Sequence, residues 1–391
     1  MGSKDITSSG VISLPLPDGT IAPYQLHPPR EWRMSASQPR SRIAYAAAHV
    51  VADPLGDPTA PSPALDWDAT LRFRRHLWAH GLRVADGMDT AQRNAGLDWA
   101  ATSELASRTA AAARDFGDPA DLVVVGAGTD HARDAASLGH VTRAYVEQME
   151  AIRATGAGVV LMGSRELARL ARGPEDYQQV YDHVLAQADR PVILHWLGEM
   201  FDPQLAGYWG DRDIWAATQS LLAIIRQHAA RIDGIKVSLL DASHEVALRT
   251  ALPRGVRLYT GDDYNYPSLI ATGSDALLGI FDAIAPAAAA ALRALDEGDR
   301  LTYEHVLGPT VPLARKIFQA PTQDYKTGLV FLAWLAGHQD AFAMVRGAQS
   351  ARSLPHLAEV FRLADYAGLL PNPALAVRRM SALLELHGCE Q

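Results

Sequence analysis

A lysine interrupts an apolar run in the middle of the chain. The run is IDGIKVSLLD, residues 232–241, and its lysine is Lys236. Burying an ammonium group without a partner is costly, so a lysine at this position needs an explanation. Burial also favours the free amine over the charged form, and a free amine attacks carbonyl carbons to form a Schiff base. Lys236 is therefore our first catalytic candidate, and a structural lysine paired with a carboxylate is the alternative.

Further polar side chains stand at the ends of other apolar runs. His195 follows PVIL, and histidine suits proton transfer near neutral pH. Carboxylates and hydroxyls at such ends can bind the hydroxyl groups of a sugar or polyol. We predict catalytic roles for Lys236 and His195. We predict substrate-binding roles for Asp86, Asp89, Glu199, Ser238, Asp262, Asp263 and Tyr264.

The runs that carry these residues alternate with segments of helical spacing, the pattern of a parallel sheet with helical crossovers. There are eight such runs: RIAYAAAHVV, LRVADGM, DLVVVGAG, AGVVLMGS, PVILHWL, DGIKVSLL, VRLYTGDD and DALLGIFDAI. Eight units predict a closed (β/α)8 barrel, whose catalytic residues lie at the carboxyl ends of the strands. The alternative is an open doubly wound sheet, but VVVGAGTD is not followed by the third glycine of a dinucleotide-binding loop.

The predicted domains follow from where the strand pattern begins and ends. Residues 1–40, which are rich in proline, predict an irregular N-terminal arm that lies on the barrel or on a neighbouring subunit. Residues 41–286 form the predicted barrel. Residues 287–391 show amphipathic helical spacing and predict a C-terminal helical extension.

Composition narrows the classes of partner. The 391 residues carry a net charge of -8, which argues against a nucleic-acid or anionic-membrane surface and favours a small-molecule substrate. No uncharged run reaches membrane-spanning length, and the N-terminus lacks a signal-peptide core. With a single cysteine, Cys389, the chain cannot form an intramolecular disulfide, so we expect a cytoplasmic protein.

DGIKVS resembles the sixth-strand G-I-K-[DE]-S signature of the dihydrodipicolinate synthase and N-acetylneuraminate lyase family of class I aldolases. PVILHW, LYTGDD and LLGIFDAIAP resemble the family's fifth, seventh and eighth strands, and YKTGLVFLAWLAG resembles one of its closing helices. The similarity extends over residues 40–370. It implies the barrel fold, a Schiff base on Lys236 without any further cofactor, and a homo-oligomer, either a dimer or a tetramer.

The sequence departs from this family where the family binds its substrate. DGMDTAQR stands in place of the second-strand G-T-T-G-E, so Met88 and Asp89 replace two threonines. His195 replaces a fifth-strand tyrosine, and MGSRE replaces a P-Y-Y motif. A negative charge at Asp89 would repel a substrate carboxylate. The chain therefore resembles a divergent, dihydrodipicolinate synthase-like branch of unknown function.

We expect a lyase that forms a Schiff base and performs retro-aldol cleavage or dehydration on a small hydroxylated carbonyl compound, such as a keto-sugar or keto-polyol. One alternative is a metal-dependent sugar isomerase with ligands from His49, Asp86, Asp89, His195, Glu199 and Asp262. Another is a barrel that binds a ligand without catalysis. Tryptophans outside the strands predict a subunit interface: Trp32, Trp67, Trp78, Trp99, Trp209 and Trp215.

Overall fold

A closed barrel of eight parallel strands forms the centre of the molecule. The structure is a computed structural model that describes residues 10–57, 59–88 and 92–389. The barrel strands follow one another in chain order, and the last pairs with the first. They are β3 (Ala44–Ala47), β4 (Arg83–Asp86), β5 (Val123–Ala127), β6 (Gly158–Leu161), β7 (Val192–Leu197), β8 (Ile232–Ser238), β9 (Arg257–Thr260) and β10 (Asp275–Leu278). Two earlier strands, β1 (Val11–Pro15) and β2 (Ile21–Gln25), form a separate antiparallel pair.

Helices surround the barrel and continue beyond its last strand. Those that lie between barrel strands along the chain are α1 (Trp67–Ala79), α2 (Trp99–Ala113), α3 (Pro119–Leu122), α4 (Leu138–Thr155), α5 (Arg165–Leu170), α6 (Pro174–Ala186), α7 (Ile214–Gln227), α8 (Ala242–Ala251) and α9 (Tyr266–Ala271). Those that follow the last strand are α10 (Ile280–Ala283), α11 (Ala285–Asp296), α12 (Arg300–Leu307), α13 (Thr310–Ile317), α14 (Lys326–Leu335), α15 (Leu354–Tyr366) and α16 (Pro373–Leu386). Short 3-10 turns lie at Pro203–Leu205, Ala229–Arg231, Thr322–Asp324 and Val345–Ala351.

The structure confirms the predicted (β/α)8 barrel, and each of the eight apolar runs contains one barrel strand. Polar caps fix where several helices begin. The Asp66 carboxylate accepts a hydrogen bond from the Ala69 amide at the start of α1, and the Asp241 carboxylate accepts one from the His244 amide at the start of α8. These caps satisfy backbone donors that would otherwise lack a partner.

Alternation along the strands divides the core into two layers. One layer lies between strands and helices and includes Ile235 and Val237 of β8. The other fills the barrel and includes Tyr45, Ile193 and Tyr259. Successive side chains on a strand point to opposite faces of the sheet. Once one residue is assigned to a layer, the directions of its neighbours on the strand follow.

The N-terminal segment packs on the C-terminal extension of the same chain. Tyr24 Oη donates a hydrogen bond to Asp365 of α15, and Trp32 Nε1 donates one to the Gly368 carbonyl. The predicted irregular arm differs from the structure in one respect, since residues 11–25 form the β1–β2 hairpin. The hairpin joins residues whose alternation is broken by proline, which is why the sequence did not indicate it.

The tryptophans that we expected at a subunit interface differ in how far they are exposed. Trp78 and Trp209 are at most 2% exposed and belong to the core, so these two do not line an outer surface. Trp215 is 51% exposed and stays available for contact with another subunit. No helix within the described residues combines the length and apolar character needed to cross a membrane.

Candidate active site

Lys236 and His195 lie side by side inside the barrel. They are partners in the register of β7 and β8, and Lys236 is also in register with Tyr259 of β9. Tyr259 belongs to the interior layer, whereas Ile235 and Val237 face the helices. Lys236 and His195 therefore point into the barrel, near its carboxyl end.

The Lys236 side chain is enclosed, and none of the described residues supplies a counter-ion. The residue is 4% exposed. Within the described residues its ammonium group takes part in no hydrogen bond or ion pair. A buried cation without a partner costs stability, and evolution keeps such a group where function uses it.

Ser238 joins this pair through His195. His195 Nε2 lies 3.3 Å from Ser238 Oγ, and both residues are at most 2% exposed. Ser238 is two residues beyond Lys236 on β8, so the two side chains share the interior face. The hydroxyl can hold the imidazole in place and can also bond to a substrate hydroxyl.

Gly261 makes room for this group. A Cβ atom on Gly261 would lie 2.2 Å from Ser238 Oγ and 2.8 Å from Lys236 Cε. Any larger residue at the end of β9 would push one of the two side chains away. Our sequence analysis missed Gly261, although the signal was present in the match of LYTGDD to the family's S-G-D-[DE] motif.

The residues that follow Gly261 build the rim of the barrel. Asp262 accepts hydrogen bonds from the amides of Tyr264 and Asn265 and from the Asn265 side chain, so its carboxylate shapes a turn. Asp263 Oδ1 accepts a 2.7 Å bond from the Ile280 amide at the start of α10. Tyr264 Oη donates to the Phe318 carbonyl, and burial raises the pKa of this phenol.

Two further predicted residues lie elsewhere, and a third lies outside the described residues. Asp86 follows the interior residue Ala85 on β4 and therefore faces the helices. Its carboxylate pairs with Arg74 at 2.6 Å and accepts a hydrogen bond from Thr109 Oγ1 at 2.6 Å. Both oxygens have partners, so the predicted substrate-binding role of Asp86 has no support in this geometry. Glu199 is exposed in the loop after β7, and Asp89 lies outside the described residues.

Arg93 anchors the loop that follows β4. Its Nη1 donates to the carbonyls of Gly87 and Gly126, both at 2.9 Å, and its Nη2 pairs with Asp130 at 2.6 Å. Burial alone would raise the pKa of Asp130, but the ion pair with Arg93 brings it below its ordinary value. This network fixes the ends of β4 and β5, where Met88 faces the barrel interior.

An aromatic group from the C-terminal extension lies at the carboxyl end of the barrel. Phe318 and Tyr325 stack with ring centroids 4.4 Å apart, and Phe201, in the loop after β7, contacts Tyr325 at 5.9 Å. A Cβ atom on Gly279, directly after β10, would lie 2.9 Å from the Phe318 ring. The sequence analysis did not identify these aromatic residues, because Phe318 and its neighbour Gly279 are far apart in the chain and only tertiary packing brings them together.

Lys326 begins α14 directly after Tyr325 and is only 7% exposed. Its Nζ lies 6.0 Å from the centre of the Tyr325 ring. The structure describes three lysines, Lys236, Lys316 and Lys326, and of these Lys236 and Lys326 are buried. Helical spacing gave no reason to single out Lys326, but any test for an imine must distinguish it from Lys236.

Residues proposed as metal ligands have other partners. His49 Nδ1 lies 2.8 Å from Asp282, and its Nε2 lies 3.1 Å from Gln339. Asp86 pairs with Arg74, and Asp262 binds backbone amides. In the part of the chain that the structure describes, no three His, Cys, Asp or Glu side chains form a group that could hold a metal ion.

Comparison with known families and curated proteins gives two results. A family model described as "Protein of unknown function (DUF993)" matches residues 12–389. A comparison with curated proteins found no match. The family match extends over nearly the whole chain, including the arm and the helical extension.

Solved structures of dihydrodipicolinate synthases share the fold. The enzyme from Aquifex aeolicus matches with a TM-score of 0.65 and 12% identity, covering 84% of this chain and 99% of the synthase. The Thermotoga maritima enzyme matches with a TM-score of 0.63 and 17% identity, and the match covers 85% of this chain and 100% of that enzyme. The Acinetobacter baumannii enzyme, solved in complex with pyruvate, matches with a TM-score of 0.64 and 15% identity, and the match covers 84% of this chain and 100% of that enzyme. At these identities the likeness confirms the predicted fold resemblance and leaves the reaction to be argued from the site.

Proposed function

Since the chain belongs to the family described as "Protein of unknown function (DUF993)" and has the fold of the dihydrodipicolinate synthases, we propose that it is a class I aldolase-type lyase. In this proposal Lys236 holds a small hydroxylated carbonyl substrate as an imine. The observation that carries the proposal is the placement of Lys236, buried on the interior face of β8 and without a counter-ion among the described residues. No further cofactor is required, because the protonated imine itself withdraws electrons from the neighbouring bond.

The reaction begins when the Lys236 amine adds to the carbonyl carbon and forms a carbinolamine. Loss of water gives the imine, which is protonated on nitrogen. In retro-aldol cleavage a base takes the proton of the β-hydroxyl group, the Cα–Cβ bond breaks, and its electron pair enters an enamine. In dehydration a base instead takes a proton from Cα to form the enamine, which then expels the protonated β-hydroxyl group as water. His195 lies beside Lys236 and is placed to move protons to and from the substrate oxygen. Ser238, at 3.3 Å from His195, orients the imidazole or binds a substrate hydroxyl.

The side chains around the site favour a substrate without a carboxylate at the reacting carbon. Met88 faces the barrel interior, where a thioether cannot donate a hydrogen bond to an anion. Asp263 adds a carboxylate on the rim. Carboxylate oxygens accept the hydrogen bonds that hydroxyl groups donate, so we propose a keto-sugar or keto-polyol that undergoes retro-aldol cleavage or dehydration.

Trapping of the imine with borohydride tests this proposal. The protein is incubated with dihydroxyacetone, with a larger keto-sugar, with a keto-polyol and with pyruvate, then reduced and analysed by intact mass and peptide mapping. We expect one adduct per chain on Lys236 with a hydroxylated ketone. Lys236→Arg should lose this adduct, whereas Lys326→Arg, which changes the other buried lysine, should retain it.

Three outcomes would contradict parts of the proposal. An adduct that persists in Lys236→Arg would refute the role of Lys236. The absence of an adduct with every carbonyl compound would refute imine chemistry. A preference for pyruvate would refute the substrate class alone and would leave the Schiff-base lysine intact.

We also propose that the protein works in the cytoplasm as a homo-oligomer, a dimer or a tetramer. The exposed Trp215 offers apolar surface for such an interface. Light scattering after size exclusion measures the mass directly. A monomer at micromolar concentration would refute the oligomer.

A further inference from the structure

A cavity lies outside the barrel, between the N-terminal segment, α1 and α14. Its volume is about 580 Å³, which is enough for a small organic molecule. Trp32 and Met34 of the N-terminal segment form one wall, and Leu332 of α14 forms another together with Ala336, directly after that helix. Trp32 is fixed by its hydrogen bond to the Gly368 carbonyl, so this wall is already formed.

Three histidines line this cavity together. His76 lies in the last turn of α1 and His80 is the residue that follows the helix. Their ring centroids are 4.7 Å apart, and the ring centroid of His338 lies 4.3 Å from that of His76. Among the described residues, no ring nitrogen of the three accepts or donates a hydrogen bond. Burial lowers the pKa of His76 to about 3 and that of His338 to about 4, so both rings are neutral at pH 7.

A half-satisfied carboxylate lines the same cavity. Asp282 is 3% exposed, and its Oδ2 accepts hydrogen bonds from the His49 amide at 2.7 Å and from His49 Nδ1 at 2.8 Å. Its Oδ1 is buried and, within the described part of the chain, has no partner. The His80 Nδ1 atom is also buried and has no hydrogen-bond partner among the described residues. A buried polar atom without a partner costs about 1–3 kcal/mol, which a bound ligand can recover.

The charge around the cavity indicates which ligand fits. The charged residues on its walls are Arg30, Glu31 and Asp282, two acidic and one basic. The Arg30 guanidinium already lies 4.2 Å above the Trp32 ring, so the basic group has a partner. The remaining polar atoms are a carboxylate oxygen and neutral imidazoles, which accept hydrogen bonds from a cation.

We propose that this cavity binds a small organic ammonium ion with an apolar body, whose N–H groups donate to Asp282 Oδ1 and to the neutral histidines. The aromatic and aliphatic walls hold the apolar body. Metal ions are the other chemistry that imidazoles favour, but these rings form no group of three suited to a metal among the described residues. The proposal is independent of imine chemistry at Lys236.

Calorimetric titration with benzylammonium tests the proposal, and benzyl alcohol, benzoate and zinc chloride serve as comparison ligands. We expect saturable binding of benzylammonium with an affinity at least tenfold higher than that of the alcohol or benzoate. Ala336→Leu should fill the cavity and abolish binding. Ala111→Leu, the same change at an exposed site on α2, should leave binding unchanged. Asp282→Asn should weaken binding about tenfold or more.

Each contrary result has a clear meaning. No saturable binding of benzylammonium, or equal binding of the neutral and anionic probes, would overturn the proposal. Binding of zinc that depends on His76 and His80, without binding of benzylammonium, would assign the cavity to a metal instead. Retained benzylammonium binding in Lys236→Met would support the separation of this cavity from the barrel site, and loss of binding there would overturn it.

Discussion

Asp86 and Lys236 are both buried charges on barrel strands, but they face opposite sides of the sheet. Asp86 points toward α1 and α2, where Arg74 and Thr109 satisfy its carboxylate. Lys236 points into the barrel, and no described residue forms an ion pair with it. A buried charge with a full set of partners holds elements together, whereas one without partners is retained where chemistry requires it. The pairing of a buried charge therefore distinguishes structure from function better than its burial does.

Replacement of Lys236 should cause the largest change in activity of all the variants considered, and so gives the strongest test of the contrast with Asp86. Lys236→Met keeps the length of the side chain and removes the amine, so imine formation and turnover should fall on the order of 10⁴-fold or more. The free energy of unfolding should stay the same or rise, since the variant no longer buries an ammonium group. Turnover of the substrate found by trapping and urea unfolding measure the two quantities.

Lys326→Met is the matched control, because it replaces the other buried lysine. This variant should retain the imine on Lys236. A Lys236→Met variant that unfolds much more easily than the native protein would show that Lys236 is structural, and the contrast with Asp86 would fail.

Replacement of Asp86 should have the opposite profile. Asp86→Ala leaves the Arg74 guanidinium buried without its carboxylate, so the free energy of unfolding should fall by about 3–5 kcal/mol. The folded fraction should still form the imine at the native rate. Urea unfolding and borohydride trapping at low temperature separate the two effects.

A double-mutant cycle with Arg74→Met refines this result. The double variant should lose less stability than the sum of the single variants, because the uncompensated charge is gone. Additive losses would show that the two groups do not interact in the folded protein. Loss of imine formation in a folded Asp86→Ala protein would assign Asp86 to the site after all.

The sequence was sufficient to predict the fold, and it singled out two side chains that lie next to each other. The eight apolar runs each contain a strand, because parallel strands buried on both faces give a strong apolar signal. Lys236 and His195 were predicted together, and they are neighbours in register. Their placement follows from strand order alone, since sequential strands of a barrel are adjacent.

The sequence could not predict which face of a strand a terminal residue occupies. Asp86 and Met88 both lie at the end of the second apolar run, LRVADGM, but Asp86 faces the helices and Met88 faces the barrel interior. A one-residue difference in register is enough to turn a side chain from one face to the other. Asp262 was predicted to bind substrate, yet it shapes the turn through backbone amides that no sequence pattern reveals. Phe318 and Tyr325 reach the barrel end through tertiary packing of the extension, which local periodicity does not report.

Gly261→Ala tests whether the space around Lys236 matters as well as its amine. The new methyl group would overlap Ser238 Oγ and crowd Lys236 Cε, so one of these side chains must move. Because catalytic groups lose efficiency when displaced by about 1 Å, imine formation should slow on the order of 100-fold. Gly139→Ala, in α4, is the control, since its Cβ would meet no atom closer than 3.9 Å. Equal rates in both variants would show that the lysine tolerates displacement.

Glu245 is an intermediate case between Asp86 and Lys236, and it gives the smallest expected effect. This buried carboxylate of α8 accepts hydrogen bonds from Thr260 Oγ1 and Ser274 Oγ, both at 2.9 Å. Burial raises the pKa of Glu245 to about 7, against the smaller effect of these hydroxyl donors. The folded protein therefore binds this proton more tightly than the unfolded chain does. The resulting stabilisation is complete below pH 4.5 and is lost as the pH rises through 7.

Glu245→Gln should remove this pH dependence, because the amide keeps hydrogen-bonding capacity and cannot ionise. Relative to the native protein, the variant should gain on the order of 2 kcal/mol in free energy of unfolding between pH 5 and pH 8. Urea unfolding at the two pH values measures the difference, with the exposed Glu304→Gln as control. If the free energy of unfolding changes between pH 5 and pH 8 by the same amount in the variant and in the native protein, Glu245 does not cause the pH dependence. Neutral hydroxyl donors would then satisfy a buried carboxylate as fully as Arg74 satisfies Asp86. The lack of a counter-ion beside Lys236 among the described residues would then say less about function than the contrast with Asp86 suggests.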